Sequence, residues 1–374
     1  MKIVYVSDAI YPYNKGGKEK RLFEISTHLA ALGHDVHIYT MHWWQGKRKE
    51  RTEHGVYLHA ISKKYEMYHG NRRSIKEGIM FALACFKLFT VKFDVIDVDH
   101  MPFFPVITAW VVCILTLRHK KFFGTWHEAL SKQDWIDYMG KSGLIAAGIE
   151  RFSTKLPYRI SAASTQTTRQ LATYHHREKR VELITNGIDT KLLNRVKPAD
   201  VHCDVLYVGR LVKGKNIDVL IRAMVVVVKQ NPDIRCTIVG HGIEKVSLEK
   251  LVTKLKLTKY VTIMDPLPEA TEVYAYMKRA KVYVLPSIRE GFGIVALEAL
   301  GCGTPVITVD APANAAKDLI EDGVTGSVVA LNSQAIAKAI ELWTSVESKH
   351  AIAKEVSDYA WEKIATRQVE VYAS

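Results

Sequence analysis

The chain has 374 residues, 48% of them hydrophobic and 24% charged, with a formal net charge of +13. That length exceeds one typical domain and suits two, and the composition excludes a disordered or low-complexity chain. Residues 1–185 carry 28 Lys and Arg against 17 Asp and Glu, whereas residues 186–374 carry 24 against 22, so the first half alone invites a polyanionic partner. An anionic membrane surface, a phosphorylated acceptor or a nucleic acid would answer to that charge, and so would plain solubility.

Met1–Ser7 reads as an apolar strand, not as a charged start followed by a signal-peptide apolar run. Lys18–Leu32 has helical spacing, with Leu22, Ile25, Leu29 and Leu32 on one face, and Gly33 follows as a natural C-cap. Val36–Thr40, Val95–Val98, Lys121–Gly124, Ile160–Ala163 and Val181–Ile184 continue the strands of the first half. Between them, the 17 uncharged residues Met101–Leu117, with Pro102 and Pro105, predict a buried helix and its approach loop. The pattern restarts after Asn186-Gly187 and Pro198. Strands are expected at Asp204–Val208, Cys236–Val239, Val261–Met264, Val282–Leu285 and Pro305–Val309, with helices at Ile217–Lys229, Ser247–Leu255 and Gly293–Leu300. The expected fold is α/β, two Rossmann-like, doubly wound parallel-sheet domains over 1–185 and 186–350, facing each other across a cleft. Residues 351–374 form a terminal helix, Ala351–Ala373. Cys85, Cys113, Cys203, Cys236 and Cys302 are scattered with no C-x-x-C pair, which predicts a reducing cytoplasm and neither a disulfide framework nor a zinc site.

Open α/β sheets bind ligands beyond the carboxyl ends of their strands, so the chemistry is expected there. After Val282–Leu285 the chain reads Pro286-Ser287-Ile288-Arg289-Glu290-Gly291-Phe292-Gly293-Ile294 and runs on to Ile307. Gly291 and Gly293 permit close backbone approach at a helix start, where exposed amides and the dipole suit a diphosphate. Glu290 precedes the helix, near whatever the phosphates carry. Glu298, one to two turns inside, is placed to accept two hydrogen bonds from a ribose diol. Taken singly, either glutamate reads as an ordinary helix-start or surface carboxylate. In Gly209–Asn216, cations beside glycines can clamp a diphosphate. Arg210, Lys213 and Lys215 are the cations there, and an ordinary basic loop would read the same way. Gly16 and Gly17 precede the first helix, Gly240-His241-Gly242 ends a strand, and His127 follows one in Gly124-Thr125-Trp126-His127-Glu128.

The run from Pro286 to Ile307, with Gly-Phe-Gly and Glu-Ala-Leu-Gly-Cys-Gly-Thr-Pro-Val-Ile, resembles the E-x7-E signature of the retaining GT-B glycosyltransferases, most closely glycosyltransferase family 4. The resemblance implies that Glu290 sits by the donor sugar and Glu298 binds the nucleotide ribose, with Gly291, Phe292, Gly293 and Ile294 in the same donor site. Gly209-Arg210-Leu211 through Lys215 is similar to the element whose Arg and Lys neutralise the leaving diphosphate, which selects Arg210 and Lys215. Tyr11–Gly17 resembles the P-x-x-G-G loop, which borders the donor phosphates and the acceptor through Gly16 and Gly17. Gly240 and Gly242 match the loop beside the nucleobase, and His127 the histidine that faces the donor sugar. Leu29–Val36 resembles L-x-x-x-G-H-x-V, in which His34 is structural. Thr185–Asp189 resembles the N-G-I/V-D linker, and Tyr359–Ile364 the terminal helix that crosses back to the first domain. The resemblance spans nearly the whole chain and is strongest from about Val205 onward. It implies a hexosyl transfer, of mannose or glucose type, from a nucleoside-diphosphate sugar to a hydroxyl, without cofactor or divalent metal. Asp97-Val98-Asp99 spells D-x-D, a metal signature of the other glycosyltransferase fold. Here it is read as structural.

Trp43–Arg51, Tyr65–Arg73 and Phe81–Phe93 mix aromatics with basic residues, which suits an anionic membrane interface and a polysaccharide, glycolipid or lipid-linked acceptor. The enzyme would then be cytoplasmic and peripheral on the inner face of the membrane. The alternative is that these aromatics pack in the core. Two other functions fit the same fold: a nucleotide-sugar 2-epimerase, or a non-catalytic protein binding a nucleotide sugar or nucleic acid. No helix-turn-helix, RRM or zinc pattern supports nucleic-acid binding.

Overall fold

A computed structural model describes residues 1–14, 16–69, 72–174, 181–345 and 356–374. It divides into two compact units, Met1–Asn186 with Trp361–Ser374, and Gly187–Ala360.

The first unit contains β1 (Lys2–Val6), α1 (Gly17–Ala31), β2 (Asp35–Met41), β3 (Glu50–Glu53), β4 (Val56–Ser62), β5 (Tyr68–His69), β6 (Arg72–Arg73) and α2 (Ile75–Ala84). It continues with β7 (Val95–Asp99), α3 (Phe104–Leu115), β8 (Phe122–Trp126), α4 (Lys132–Met139), α5 (Gly143–Ser153), β9 (Arg159–Ala162), α6 (Thr165–Tyr174) and β10 (Val181–Leu183). Its main sheet has the order β10-β9-β8-β7-β1-β2-β4-β3. Every pair is parallel except β3 with β4. Strands covered on both faces are mostly apolar, and β7 is buried along its whole length even though it carries Asp97 and Asp99. The uncharged stretch near residue 110 becomes α3, a 12-residue helix. At 1.5 Å per residue it is far short of a bilayer core of about 30 Å. Among the described residues, no helix is long and apolar enough to cross a membrane.

The second unit holds α7 (Thr190–Arg195), β11 (Val205–Val208), α8 (Ile217–Gln230), β12 (Cys236–Val239), α9 (Lys245–Lys254), β13 (Val261–Met264) and α10 (Ala270–Arg279). Then come β14 (Val282–Leu285), β15 (Arg289–Glu290), α11 (Ile294–Gly301), β16 (Val306–Val309), β17 (Ala313–Asn314), β18 (Gly326–Val329) and α12 (Ser333–Ser345). Six strands in the order β13-β12-β11-β14-β16-β18 form an all-parallel sheet. α8 shows how the sequence pattern becomes packing. Ile217, Leu220, Ile221, Met224 and Val227 fall on one face and are buried. Two parallel α/β sheets of this kind make the GT-B fold.

The last helix, α13 (Trp361–Ala373), packs with the first unit. Its Trp361, Ile364, Ala365, Val371 and Tyr372 join a core with Ile3, Tyr5, Ile25 and Leu29.

Two expectations change, and one element was not foreseen. The terminal helix starts at Trp361, after a 3-10 turn at Ser357–Tyr359, and not at Ala351. Residues 351–355 lie outside the described residues, as does Lys15 of the glycine-rich loop. Glu50–Ser62 forms an antiparallel hairpin that the sequence reading missed. Its turn places His54 and Gly55 at φ 49° and 79°, the left-handed pair a tight hairpin requires. The aromatic-basic region is divided. Trp44, Phe81, Leu88 and Phe93 are core residues. The Trp43 indole N–H donates to the Asp8 carbonyl at 2.9 Å, and the Arg73 guanidinium lies against the Asp8 carboxylate. What stays exposed is the stripe Ile75, Ile79, Leu83 and Phe86, with Met80 and Phe89 beside it.

Candidate active site

In each unit the strand order reverses beside the first strand, which opens a crevice at the carboxyl ends of that strand and its neighbour. The reversal lies between β11 and β14 in the second unit and between β1 and β7 in the first. The expected site residues lie in the loops after these strands, after β8 and β12, and on α11.

In the second unit, the loop after β11 carries Arg210 and Lys215, and the loop after β14 carries Glu290. Asn216, at φ 50°, ends the first loop and donates from Nδ2 to the Pro286 carbonyl at 3.1 Å, tying the two loops together. Lys215 Nζ then sits 2.5 Å from Glu290 Oε1, with both side chains mostly buried. Arg210 is exposed, while its carbonyl accepts from the Tyr207 hydroxyl at 3.0 Å. Burial raises the pKa of that tyrosine, and the charge of Glu290 adds to the effect.

Gly291, Phe292, Gly293 and Ile294 lead into α11. Gly293 caps the helix at φ 87°, and a Cβ there would stand 2.4 Å from Ala316 Cβ, so conformation and space both demand glycine. The Phe292 ring is turned into the core, 6.4 Å from Tyr359, so only its backbone remains for a ligand. Glu298, inside α11, is buried, and Oε1 accepts from the Tyr274 hydroxyl at 3.1 Å. Tyr274 comes from α10, and nothing in its local sequence marks it. Gly240 and Gly242 let the loop after β12 close on the loop after β11. A Cβ at Gly240 would lie 1.9 Å from the Gly209 carbonyl oxygen, and one at Gly242 would lie 2.1 Å from that of Leu211.

In the first unit, Gly16 caps α1 and Gly17 opens it. A Cβ on Gly17 would meet no atom within 4 Å, so packing alone does not explain that glycine. The residue that follows is the unexpected one. Lys18 Nζ reaches Asp8 Oδ1 at 2.7 Å, Asp99 Oδ2 at 2.9 Å and the Met101 carbonyl at 3.2 Å. Burial opposes the lysine's charge, but Asp8 and Asp99 outweigh it and raise its pKa. Asp99 also accepts from the Ser7 hydroxyl at 3.0 Å. His127 Nε2 stands 3.4 Å from Asp99 Oδ1. His100 lies beneath, stacked on Trp126 with ring centroids 5.4 Å apart. Burial, followed by His127, pushes its pKa down to about 3. The other carboxylate of the D-x-D sequence, Asp97, accepts from the Tyr372 hydroxyl at 2.6 Å and the Thr125 hydroxyl at 2.9 Å. Among the described residues, Asp99, His100 and His127 are the one group whose ligand atoms converge, within 4.8 Å. Lys18 already neutralises Asp99 there, and its charge opposes an added cation.

Sequence reading placed His127 here but missed Asp8, Lys18, Arg73 and Asp99 as its surroundings. A lysine directly after Gly16-Gly17 and two strand-end aspartates were the available signals.

Two family models match the chain, Glycosyltransferase Family 4 over residues 15–192 and Glycosyl transferases group 1 over residues 195–358. A D-inositol 3-phosphate glycosyltransferase of Paenarthrobacter aurescens is 29% identical over 214 residues, 52% of this chain and 51% of the relative. The chain thus spans about half the length of that relative. Mycobacterium tuberculosis glycogen synthase is 26% identical, with 100% of this chain and 94% of the relative covered. Anabaena HepE, solved in complex with UDP, superposes with a TM-score of 0.76 at 18% identity, covering 100% of each chain.

Proposed function

We infer the reaction from the family: the chain belongs to the retaining glycosyltransferases of family 4, which transfer a sugar from a nucleotide sugar, and we propose that it moves a hexosyl unit of mannose or glucose type to a hydroxyl acceptor. The observation that carries this reading is the convergence of Lys215, Glu290 and the amino end of α11 at the second unit's switch point. A diphosphate set there meets Arg210, Lys215 and the unpaired amides of Gly293 and Ile294, which absorb charge as the glycosyl–phosphate bond breaks. Glu298 holds the ribose diol, and Glu290 lies beside the sugar. Gly240 and Gly242 keep the nucleobase loop close. The acceptor oxygen bonds to the anomeric carbon on the face the diphosphate leaves, and its proton passes to the departing phosphate oxygen. No enzyme nucleophile enters this sequence. In the first unit, Gly16 and Gly17 border an anionic substrate group, and His127 offers a polar contact to a substrate hydroxyl.

The acceptor is proposed to be a glycolipid or lipid-linked sugar at an anionic membrane surface. The exposed stripe Ile75, Ile79, Leu83 and Phe86, along α2 and the 3-10 segment after it, whose other side is buried, supports this reading. Lys76, Lys87 and Lys92 are exposed nearby.

Incubation with UDP-, GDP- and ADP-linked glucose and mannose tests the transfer. Release of free nucleoside diphosphate is expected with one of them. An epimerised sugar still attached to its nucleotide would overturn it.

A further inference from the structure

The geometry points to Asp99 as the positioning residue of His127, holding Nε2–H so that Nδ1 is the acceptor offered to a substrate hydroxyl. This rests on the reading of His127 as a substrate contact.

Asp99 Oδ2 is engaged by Lys18 Nζ at 2.9 Å, with the Ser7 hydroxyl, shared with the Ala9 carbonyl, at 3.0 Å. Oδ1 is buried and accepts no hydrogen bond. A buried carboxylate oxygen without a donor is costly, and the nearest nitrogen is His127 Nε2 at 3.4 Å. A small rotation of the partly exposed ring closes that gap. The competing donor, His100 Nδ1, is farther from Oδ1 at 3.7 Å and lies 3.2 Å from the Thr125 carbonyl. Asp99 is fixed as an anion. Burial alone would raise its pKa, but Lys18 and then His127 outweigh burial and hold it below the usual carboxylate range. An anion at Oδ1 requires a hydrogen on Nε2, and the neutral ring then carries its lone pair on Nδ1. The same logic, a carboxylate that selects a tautomer without touching substrate, operates in hydrolase triads.

Lys18 sets this up from the glycine-rich loop. It stands immediately after Gly16 and Gly17, and its ammonium bridges Asp8 and Asp99. A group bound at the glycines is therefore two residues from the carboxylate that orients His127.

The test is nitrogen-15 NMR of the full chain labelled at histidine, recorded near pH 8. The wild type is expected to show His127 with a pyrrole-type Nε2 and a pyridine-type Nδ1. Asp99→Asn presents an amide that can donate to Nε2, and the expected result is a shift toward the Nδ1–H form. Hydrolysis of whichever of the UDP-, GDP- and ADP-linked glucose and mannose donors the wild type turns over gives the second readout. Asp99→Asn should lower kcat about 10-fold or more with the donor KM within about twofold, and it should have no further effect on a His127→Ala background. An Nδ1–H or doubly protonated His127 in the wild type overturns the inference, even if the variant does not fold. So does an unchanged tautomer in a folded Asp99→Asn. A wild type inert toward nucleotide sugars would fail the transferase reading alone, because the tautomer is read without turnover.

Discussion

Lys215 Nζ lies 2.5 Å from Glu290 Oε1, so the cation expected to receive a diphosphate is already held by a carboxylate. The two partners come from loops 75 residues apart, joined by the Asn216 amide on the Pro286 carbonyl. An incoming diphosphate must share Lys215 with Glu290 and faces that carboxylate's repulsion. Glu290→Gln removes the competitor. Calorimetry should show the preferred nucleoside diphosphate binding about fivefold tighter, corresponding to about 1 kcal/mol for one nearby charge. Sugar transfer by the same variant should fall about 100-fold or more. Weaker diphosphate binding would remove Glu290 from the neighbourhood of the phosphates.

Tyr274 and Glu298 make the second prediction. The tyrosine hydroxyl occupies Oε1 at 3.1 Å and orients the carboxylate proposed for the ribose diol. Tyr274→Phe should weaken binding of the ribonucleotide about threefold to tenfold, the size of one hydrogen bond to a charged group that is not wholly lost. The 2′-deoxynucleotide should lose less, because it makes one fewer bond to the same carboxylate. Equal losses for both would show that Glu298 is not reading the diol.

The glycines separate packing from ligand binding. Gly293→Ala forces a side chain into φ 87° and into Ala316. It should cost about 1–3 kcal/mol of stability together with nucleotide affinity. Gly17→Ala meets no protein atom within 4 Å and sits at the first turn of α1. Its melting temperature should be unchanged or slightly higher, and any lost activity then reports a ligand that approaches the backbone. A fall in melting temperature for Gly17→Ala would mean the glycine serves the fold.

The proposed donor side was legible because its residues are contiguous. Arg210 to Lys215 and Glu290 to Glu298 each lie in one loop-helix junction directly after an apolar strand, where phosphate chemistry belongs. The cluster around His127 was not. Asp8, Lys18, Arg73 and Asp99 come from four segments, and no spacing in the chain announces that they meet. The hairpin Glu50–Ser62 was hidden for a related reason. Its first strand reads Glu-Arg-Thr-Glu at the end of a basic run, an edge strand with no apolar signal, and only Val56, Leu58 and Ala60 alternate inward. Trp43 and Trp44 looked like surface aromatics because charged neighbours surround them, whereas their indole N–H groups each found a backbone carbonyl.

His100 gives a pH prediction. Burial, then His127, holds its folded pKa at about 3, against an ordinary 6.5. Between those values the unfolded chain binds the proton and the folded chain does not. Stability therefore rises with pH through the window and is lost as pH falls below about 6.5, by up to about 1.4 kcal/mol per pH unit. Urea unfolding between about pH 7.5 and 4.5 reads the histidine before most carboxylates titrate. His100→Gln should lose less stability over that range than the wild type. Parallel losses would mean that His100 is protonated in the folded protein.

The membrane prediction turns on which face is free. Arg73 is committed to Asp8, so reversing its charge would break the polar cluster of the first unit and report nothing about lipid. The stripe along α2 and the 3-10 segment Cys85–Thr90 that follows it is the better probe. Gly78, Phe81, Ala82, Cys85 and Leu88 face the core, yet Ile75, Ile79, Leu83 and Phe86 on the other side are exposed. A helical segment apolar on both faces is one that a second apolar phase covers. Leu83→Asp with Phe86→Asp adds two charges to the exposed side and leaves the core face intact, so circular dichroism should not change. Sedimentation with vesicles containing phosphatidylglycerol should show about a tenfold or greater loss of binding relative to the wild type. Wild-type binding should also weaken as salt rises, because Lys76, Lys87 and Lys92 contribute through a screened field. A double variant that sediments as the wild type does, or a wild type that ignores anionic vesicles, would detach the acceptor from the membrane and leave the stripe to a protein partner.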